Sequence, residues 1–228
     1  PAVTPTPPAV TPTPPAVTPT PPAVTPTPPL VTGTPTVTPG PTPTPGPASL
    51  DKDQQKCVNS LNKDGEKVNK AQLKESEKCL KDFQKEKLDT SFDVCTTADL
   101  KEKVAKAQAK TVKNEAKKCT APLPPFAYTD STTVNDAAVA GALALTYDIF
   151  GGPPVLDASL VPSGINKDTA KCQTEMLKRA NKVENTALKE VNKAKKDAIK
   201  DPTITTGAEL VQRLQAALSS NSKIVKAK

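Results

Sequence analysis

The residues able to do covalent or metal chemistry are five cysteines, Cys57, Cys79, Cys95, Cys119 and Cys172, in a 228-residue chain without a single histidine. A zinc site needs closely spaced thiolates completed by further thiolates or imidazoles, and neither a C-x-x-C pair nor a histidine is present. Ser-His-Asp and Cys-His mechanisms lose their general base for the same reason. Gly151-Gly152-Pro153 lacks the spacing that cradles a phosphate, and no dinucleotide fingerprint occurs. The carboxylates alternate with lysines at helical spacing, as in Glu75 with Lys78 and Glu102 with Lys106, which is the pattern of solvated ion pairs rather than of an acid/base pair. The expectation is a non-enzymatic chain with no metal and no cofactor. Long cysteine spacings suit disulfides formed in an oxidising compartment, the alternative being buried free thiols in a cytosolic protein.

The elements that hold these cysteines begin only after a sharp break in composition near Ala48. Residues 1–48 hold 19 of the 26 prolines and no charge, whereas all 31 Lys/Arg and all 24 Asp/Glu follow, so the net charge of +7 belongs to residues 49–228. The first part opens with four copies of Pro-Ala-Val-Thr-Pro-Thr-Pro, starting at Pro1, Pro8, Pro15 and Pro22, then a degenerate copy from Pro29. Proline fixes its own φ and disfavours helix in the residue before it, so this arm is expected to be polyproline II, reaching on the order of 150 Å at 3.1 Å per residue. Uncharged Thr-Pro repetition is the composition of O-glycosylated stalks, with candidate sites at Thr4, Thr6, Thr11, Thr13, Thr18, Thr20, Thr25, Thr27, Thr32 and Thr34. An unmodified spacer is the alternative. The chain begins at Pro1, so a processed product is expected, and export is argued from the cysteines and the arm.

From Asp51 onward Lys, Glu and Ala recur with apolar residues at helical spacing, and with four Phe, two Tyr and no Trp the core must be thin. A first helix is expected from Lys52 to Lys87, with Leu61, Val68, Cys79 and Phe83 inward and Gly65 a weak point. Thr96-Thr97-Ala98-Asp99 reads as a capping box starting a second helix, whose stripe Leu100, Val104, Ala107, Thr111 ends near Cys119 before Pro122, Pro124 and Pro125. A short apolar helix is expected over Val134 to Phe150, stopped by Gly151-Gly152-Pro153-Pro154. A fourth, Lys167 to Lys200, carries Met176, Ala180, Val183, Ala187, Val191, Ala194 and Ala198 on one face.

The fourth helix repeats the first at a constant offset of 115 residues. Lys56-Cys57 matches Lys171-Cys172, Lys67-Val68 matches Lys182-Val183, Leu73-Lys74-Glu75 matches Leu188-Lys189-Glu190, and Lys81-Asp82 matches Lys196-Asp197. At an offset of 110, Thr96, Ala98, Asp99 and Leu100 then match Thr206, Ala208, Glu209 and Leu210. Repeats at about 52–119 and 167–228 therefore each form an antiparallel hairpin, giving an all-α fold of two duplicated hairpins around a short apolar helix. Cys79 and Cys95 are both replaced in the second copy, by Ala194 and Thr205, which suggests that they pair. Cys57 and Cys79 stand roughly 33 Å apart on one straight helix and cannot bond, whereas Cys57 and Cys119 fall at the same hairpin end. Cys57–Cys119 and Cys79–Cys95 are the expected staples. Cys172 is left odd, its second-copy partner falling just past Lys228: either that partner was lost with a C-terminal truncation or Cys172 bonds outside its own repeat, an intermolecular bond and a buried free thiol being the two outcomes expected for it.

A pI near 9.1 permits a polyanion, but lysines interleaved with acids and the lack of an aromatic platform argue for wet faces and against nucleic acid. The longest apolar run, Ala137 to Leu145, is about half of the 18 to 20 residues a bilayer needs, so no transmembrane segment is expected. Residues Cys57-Val58-Asn59-Ser60-Leu61-Asn62-Lys63 through Ala105-Lys106-Ala107-Gln108-Ala109-Lys110-Thr111-Val112-Lys113 resemble uncharacterised Cys- and Lys-rich secreted α-helical proteins of environmental bacteria. The heptads resemble the arms of glycosylated extracellular fibrils. The two resemblances imply an extracellular or cell-surface location and carry over no catalytic residue. The expected function is a structural subunit of an extracellular fibre or surface layer, a homo-oligomer or polymer bridged by its glycan-bearing arm. A monomeric exported or surface-anchored helical binding module on a stalk is the alternative.

Overall fold

The computed structural model describes residues 49–153, 155–219 and 221–227; the arm, its polyproline II conformation and its threonines lie outside them, as does Pro154. Among the described residues the fold is all-α, with eight helices and no strand. Helix α1, Lys52–Gln84, starts at a capping box in which the Asp51 carboxylate accepts from the Asp53 and Gln54 amides and Gln54 reaches back to the Asp51 N–H. It stops three residues short of Lys87, where Glu86 turns to φ 54°. Helices α2, Phe92–Ala98, and α3, Lys103–Lys118, bring the chain back along α1. Helix α4, Ser131–Phe150, is capped by Asp130 and packs along α1, and the single turn α5, Leu156–Ser159, follows. Helix α6, Lys167–Ala198, capped by Asn166, lies antiparallel to α1, and α7, Gly207–Ser219, with α8, Ser222–Ala227, folds back on α6. The fold is thus two helical hairpins bracketing a short apolar helix. No helix among the described residues is long and apolar enough to cross a membrane.

The apolar core is split between the two ends of the α1–α6 pair. Leu80, Phe92, Phe150, Leu156, Leu160 and Leu177 close one end around the Cys79–Cys95 bond. Leu50, Val58, Ala198, Ile199, Ile204 and Leu210 close the other. Burying each Leu, Ile, Val or Phe of these clusters contributes about 1.5 to 3 kcal/mol, and Leu61, Val68 and Leu73 of α1 and Val104 of α3 are buried besides them.

The structure corrects several local expectations. Gly65 is a point of close approach, because a Cβ there would lie 2.9 Å from Val134 Cγ1 of α4. Thr96 and Thr97 do not cap a helix; they lie within α2, their hydroxyls donating to the Asp93 carbonyl. Asp99, at φ 43°, instead turns its carboxylate forward to the amides of Lys103 and Ala105, and Leu100 is exposed. Phe83 points inward as expected, half-buried against the cluster around the Cys79–Cys95 bond. On α6 the buried residues are Ala170, Leu177, Asn181 and Ala198, whereas Met176 is exposed and Ala180, Val183, Ala187, Val191 and Ala194 are half-buried. That apolar stripe faces the short helices α7 and α8, which cover it incompletely, and the α1-facing side of α6 is largely polar.

Candidate functional site

The middle of the molecule is a seam between α1 and α6 built from amides and carboxylates. The Asn192 amide donates to Glu66 Oε2 at 3.2 Å, and the Asn181 amide donates to Glu77 Oε1 at 2.8 Å. Adding 115 to Glu66 gives Asn181, and subtracting 115 from Asn192 gives Glu77, so these bonds are one interaction repeated through a local twofold axis. At the axis, Asn69 meets its own counterpart Glu184, its Nδ2 donating to Oε1 at 2.6 Å. Burial pushes the Glu184 carboxyl above its usual range, the Asn69 amide pulling it partly back. Lys195 donates to Asn62 Oδ1 at 3.0 Å, and burial lowers its pKa. Beside the axis α4 covers α1 but leaves a cleft of about 460 Å³ toward α6, into which Asn69 and Glu184 contribute. Asn69 is 3 % exposed, and its Oδ1 and Glu184 Oε2 have no hydrogen-bond partner among the described residues.

The cysteines sit around this seam. Cys57 and Cys119 are bonded where α1 begins and α3 ends, with Cα atoms 4.7 Å apart, and Cys79 and Cys95 join α1 to α2 at 5.8 Å. Cys172 is a free, exposed thiol, which removes the reading of it as a buried one. No cluster of His, Cys, Asp or Glu among the described residues could hold a metal ion.

No protein-family model, curated protein or solved structure matches this chain. The site therefore has to be read from its own residues.

The charged residues also differ from their sequence reading. Glu102 and Lys106 stand 3.6 Å apart, but Glu75 is 1 % exposed, and Lys78 pairs with Asp82 at 2.8 Å instead. Lysines and acids that alternate along α1 separate around it: Lys63, Lys67, Lys70 and Lys74 are exposed, whereas Asp64 and Glu75 are buried and Glu66 is half-buried. The polar seam was also missed, because Asn and Glu at helical spacing carry no apolar signal; the constant offset of 115 was the one trace of it.

Proposed function

We propose that the chain is a non-enzymatic structural subunit of an extracellular fibre or surface layer, in which the Pro/Thr arm, glycosylated on its heptad threonines, bridges neighbouring subunits. The carrying observation is the union in one chain of an uncharged repeat arm with a helical domain closed by two disulfides. An oxidising compartment preserves such bonds. The half-covered apolar side of α6 and the exposed Met176 add a surface that a neighbour could bury. Electron microscopy of native material with a label on the helical domain tests this. Filaments or sheets bearing the label are expected, and a dispersed monomer at high concentration overturns it. Intact mass tests the glycans: a mass above 23.9 kDa in steps of sugar residues is expected, and the bare polypeptide mass would remove them.

The cleft beside Asn69 and Glu184 favours a second reading, a monomeric exported or surface-anchored binding module for which the arm is a stalk.

A further inference from the structure

One face of the α1–α6 layer carries six exposed lysines outside ion pairs among the described residues. Helix α4 packs on α1 at Gly65, and at 3.6 residues per turn Lys63, Lys70 and Lys74 lie about 140 to 180° round the helix from that contact. Lys63 lines one groove with Lys193 and Lys196 of α6, beside Asn59, Asn62, Asn192 and the Glu66 carboxylate that accepts from Asn192, which places the two helices' lysines on a common side. The groove runs past Lys63 into a depression of about 510 Å³ lined by Lys117 and Lys118 with Ser60, Thr120 and the Lys56–Asp53 ion pair. Lys63, Lys70, Lys74, Lys189, Lys193 and Lys196 are all exposed, and none is in an ion pair among the described residues.

The internal repeat keeps most of these lysines, although Lys70 is replaced by Asn185. Lys63, Lys67, Lys74, Lys78, Lys81 and Lys85 each have a lysine 115 residues later. Over the same helix the buried Val68 and Leu73 are kept as Val183 and Leu188, whereas the buried Val58, Leu61 and Leu80 are replaced by Gln173, Met176 and Lys195. A solvated face with no packing constraint ordinarily tolerates glutamate as readily as lysine, so retention of one sign on that face while part of the core changes favours a polyanionic partner.

We propose that this face binds an acidic polysaccharide, its lysines facing the carboxylate or sulfate groups and the groove's asparagine, serine and threonine side chains bonding sugar hydroxyls. The residue types select this partner. Neither arginine, Arg179 or Arg213, lines the groove or the depression, and no aromatic side chain does, so bidentate phosphate recognition and base stacking have no supplier. The lining offers no large apolar side chain to enter a lipid surface. The inference is independent of whether the chain polymerises.

Titration of the full-length protein with polygalacturonate, followed by calorimetry at increasing salt, tests it, with neutral dextran, duplex DNA and anionic vesicles as comparators. Saturable binding of polygalacturonate that weakens steeply with salt is expected. The variant Lys63→Gln/Lys117→Gln/Lys193→Gln/Lys196→Gln should bind about tenfold more weakly. A variant that removes equal charge elsewhere, Lys87→Gln/Lys101→Gln/Lys103→Gln/Lys167→Gln, should stay within about twofold of the parent. Equal loss in both variants, tighter binding of DNA or vesicles than of polygalacturonate, or no binding at low salt each overturns the proposal.

Discussion

The two copies of the repeat share a helix length and a lysine pattern but not a mode of stabilisation. In the first, α1 is enclosed by α3, α4 and α6, buries residues along its whole length and is stapled at both ends by disulfides. In the second, α6 buries Ala170, Leu177, Asn181 and Ala198, carries no disulfide and is backed by two short helices. The matching helix belongs to a core in one place and to a buttress in the other. The difference teaches that a shared helix period and lysine pattern do not fix how a helix is buried.

The largest break in this comparison is removal of the staples. Closing loops of 16 and 62 residues, Cys79–Cys95 and Cys57–Cys119 each contribute about 3 to 4 kcal/mol by loop entropy. Denaturant unfolding of Cys79→Ser/Cys95→Ser and of Cys57→Ser/Cys119→Ser should show losses of that order. Cys172→Ser, at the position equivalent to Cys57 but exposed, should change stability by less than about 0.5 kcal/mol.

Next comes the α4 contact, made by one copy alone. Gly65→Leu forces a side chain against Val134 and should cost about 1 to 3 kcal/mol. The counterpart Ala180 borders an open depression beside Met176 and Val183, so Ala180→Leu should cost less than about 1 kcal/mol in the same thermal melts.

Smaller again are the caps. Thr206 and Glu209 form the reciprocal box in the second copy, Thr206 Oγ1 accepting from the Glu209 N–H and Glu209 Oε2 from the Thr206 N–H. Asp99, one methylene shorter than Glu209, caps forward from a left-handed backbone. Thr206→Ala and Asp99→Ala should each cost about 1 kcal/mol, while Thr97→Ala, which removes no cap, should cost less than about 0.5 kcal/mol.

An effect of the size of a single cap is the alkaline pH dependence carried by Tyr147 and Tyr128. Burial, with the hydrogen bond to Asp93 at 2.7 Å, pushes the Tyr147 hydroxyl from 10.0 up to about 12. The hydrogen bond to Glu115 at 2.6 Å, with burial, raises Tyr128 likewise to about 12. A raised folded-state pKa contributes stability that is fully present below pH 10 and disappears as pH rises toward 12. Tyr147→Phe should therefore cost about 1 kcal/mol at pH 8, and its difference from the parent should shrink between pH 10 and 12 in paired urea titrations.

Much of the fold was legible because helix period, caps and proline stops are local signals. The all-α class, the hairpins and the position of α4 follow from them, and the paired loss of Cys79 and Cys95 in the second copy reflects the bond now seen between them. What was not legible depended on three-dimensional surroundings. The stripe Met176 to Ala198 has helical period, but periodicity does not say which neighbour lies beneath it, and the tighter neighbour α1 meets the polar side of α6. Thr96-Thr97-Ala98-Asp99 matches the motif of Thr206 to Glu209, yet the Cys95 tether to α1 and the short Asp99 side chain move the cap forward. Glu75 reads as a surface charge because its neighbours do, and it is buried only because α1 is enclosed on several sides.

The central claim is that the arm joins subunits, and sedimentation velocity of the full chain beside residues 49–228 alone, over a rising concentration series, tests it most directly. The account predicts concentration-dependent polymers for the full chain and a monomer for the helical domain. Monomers in both samples, or identical polymers without the arm, would contradict it.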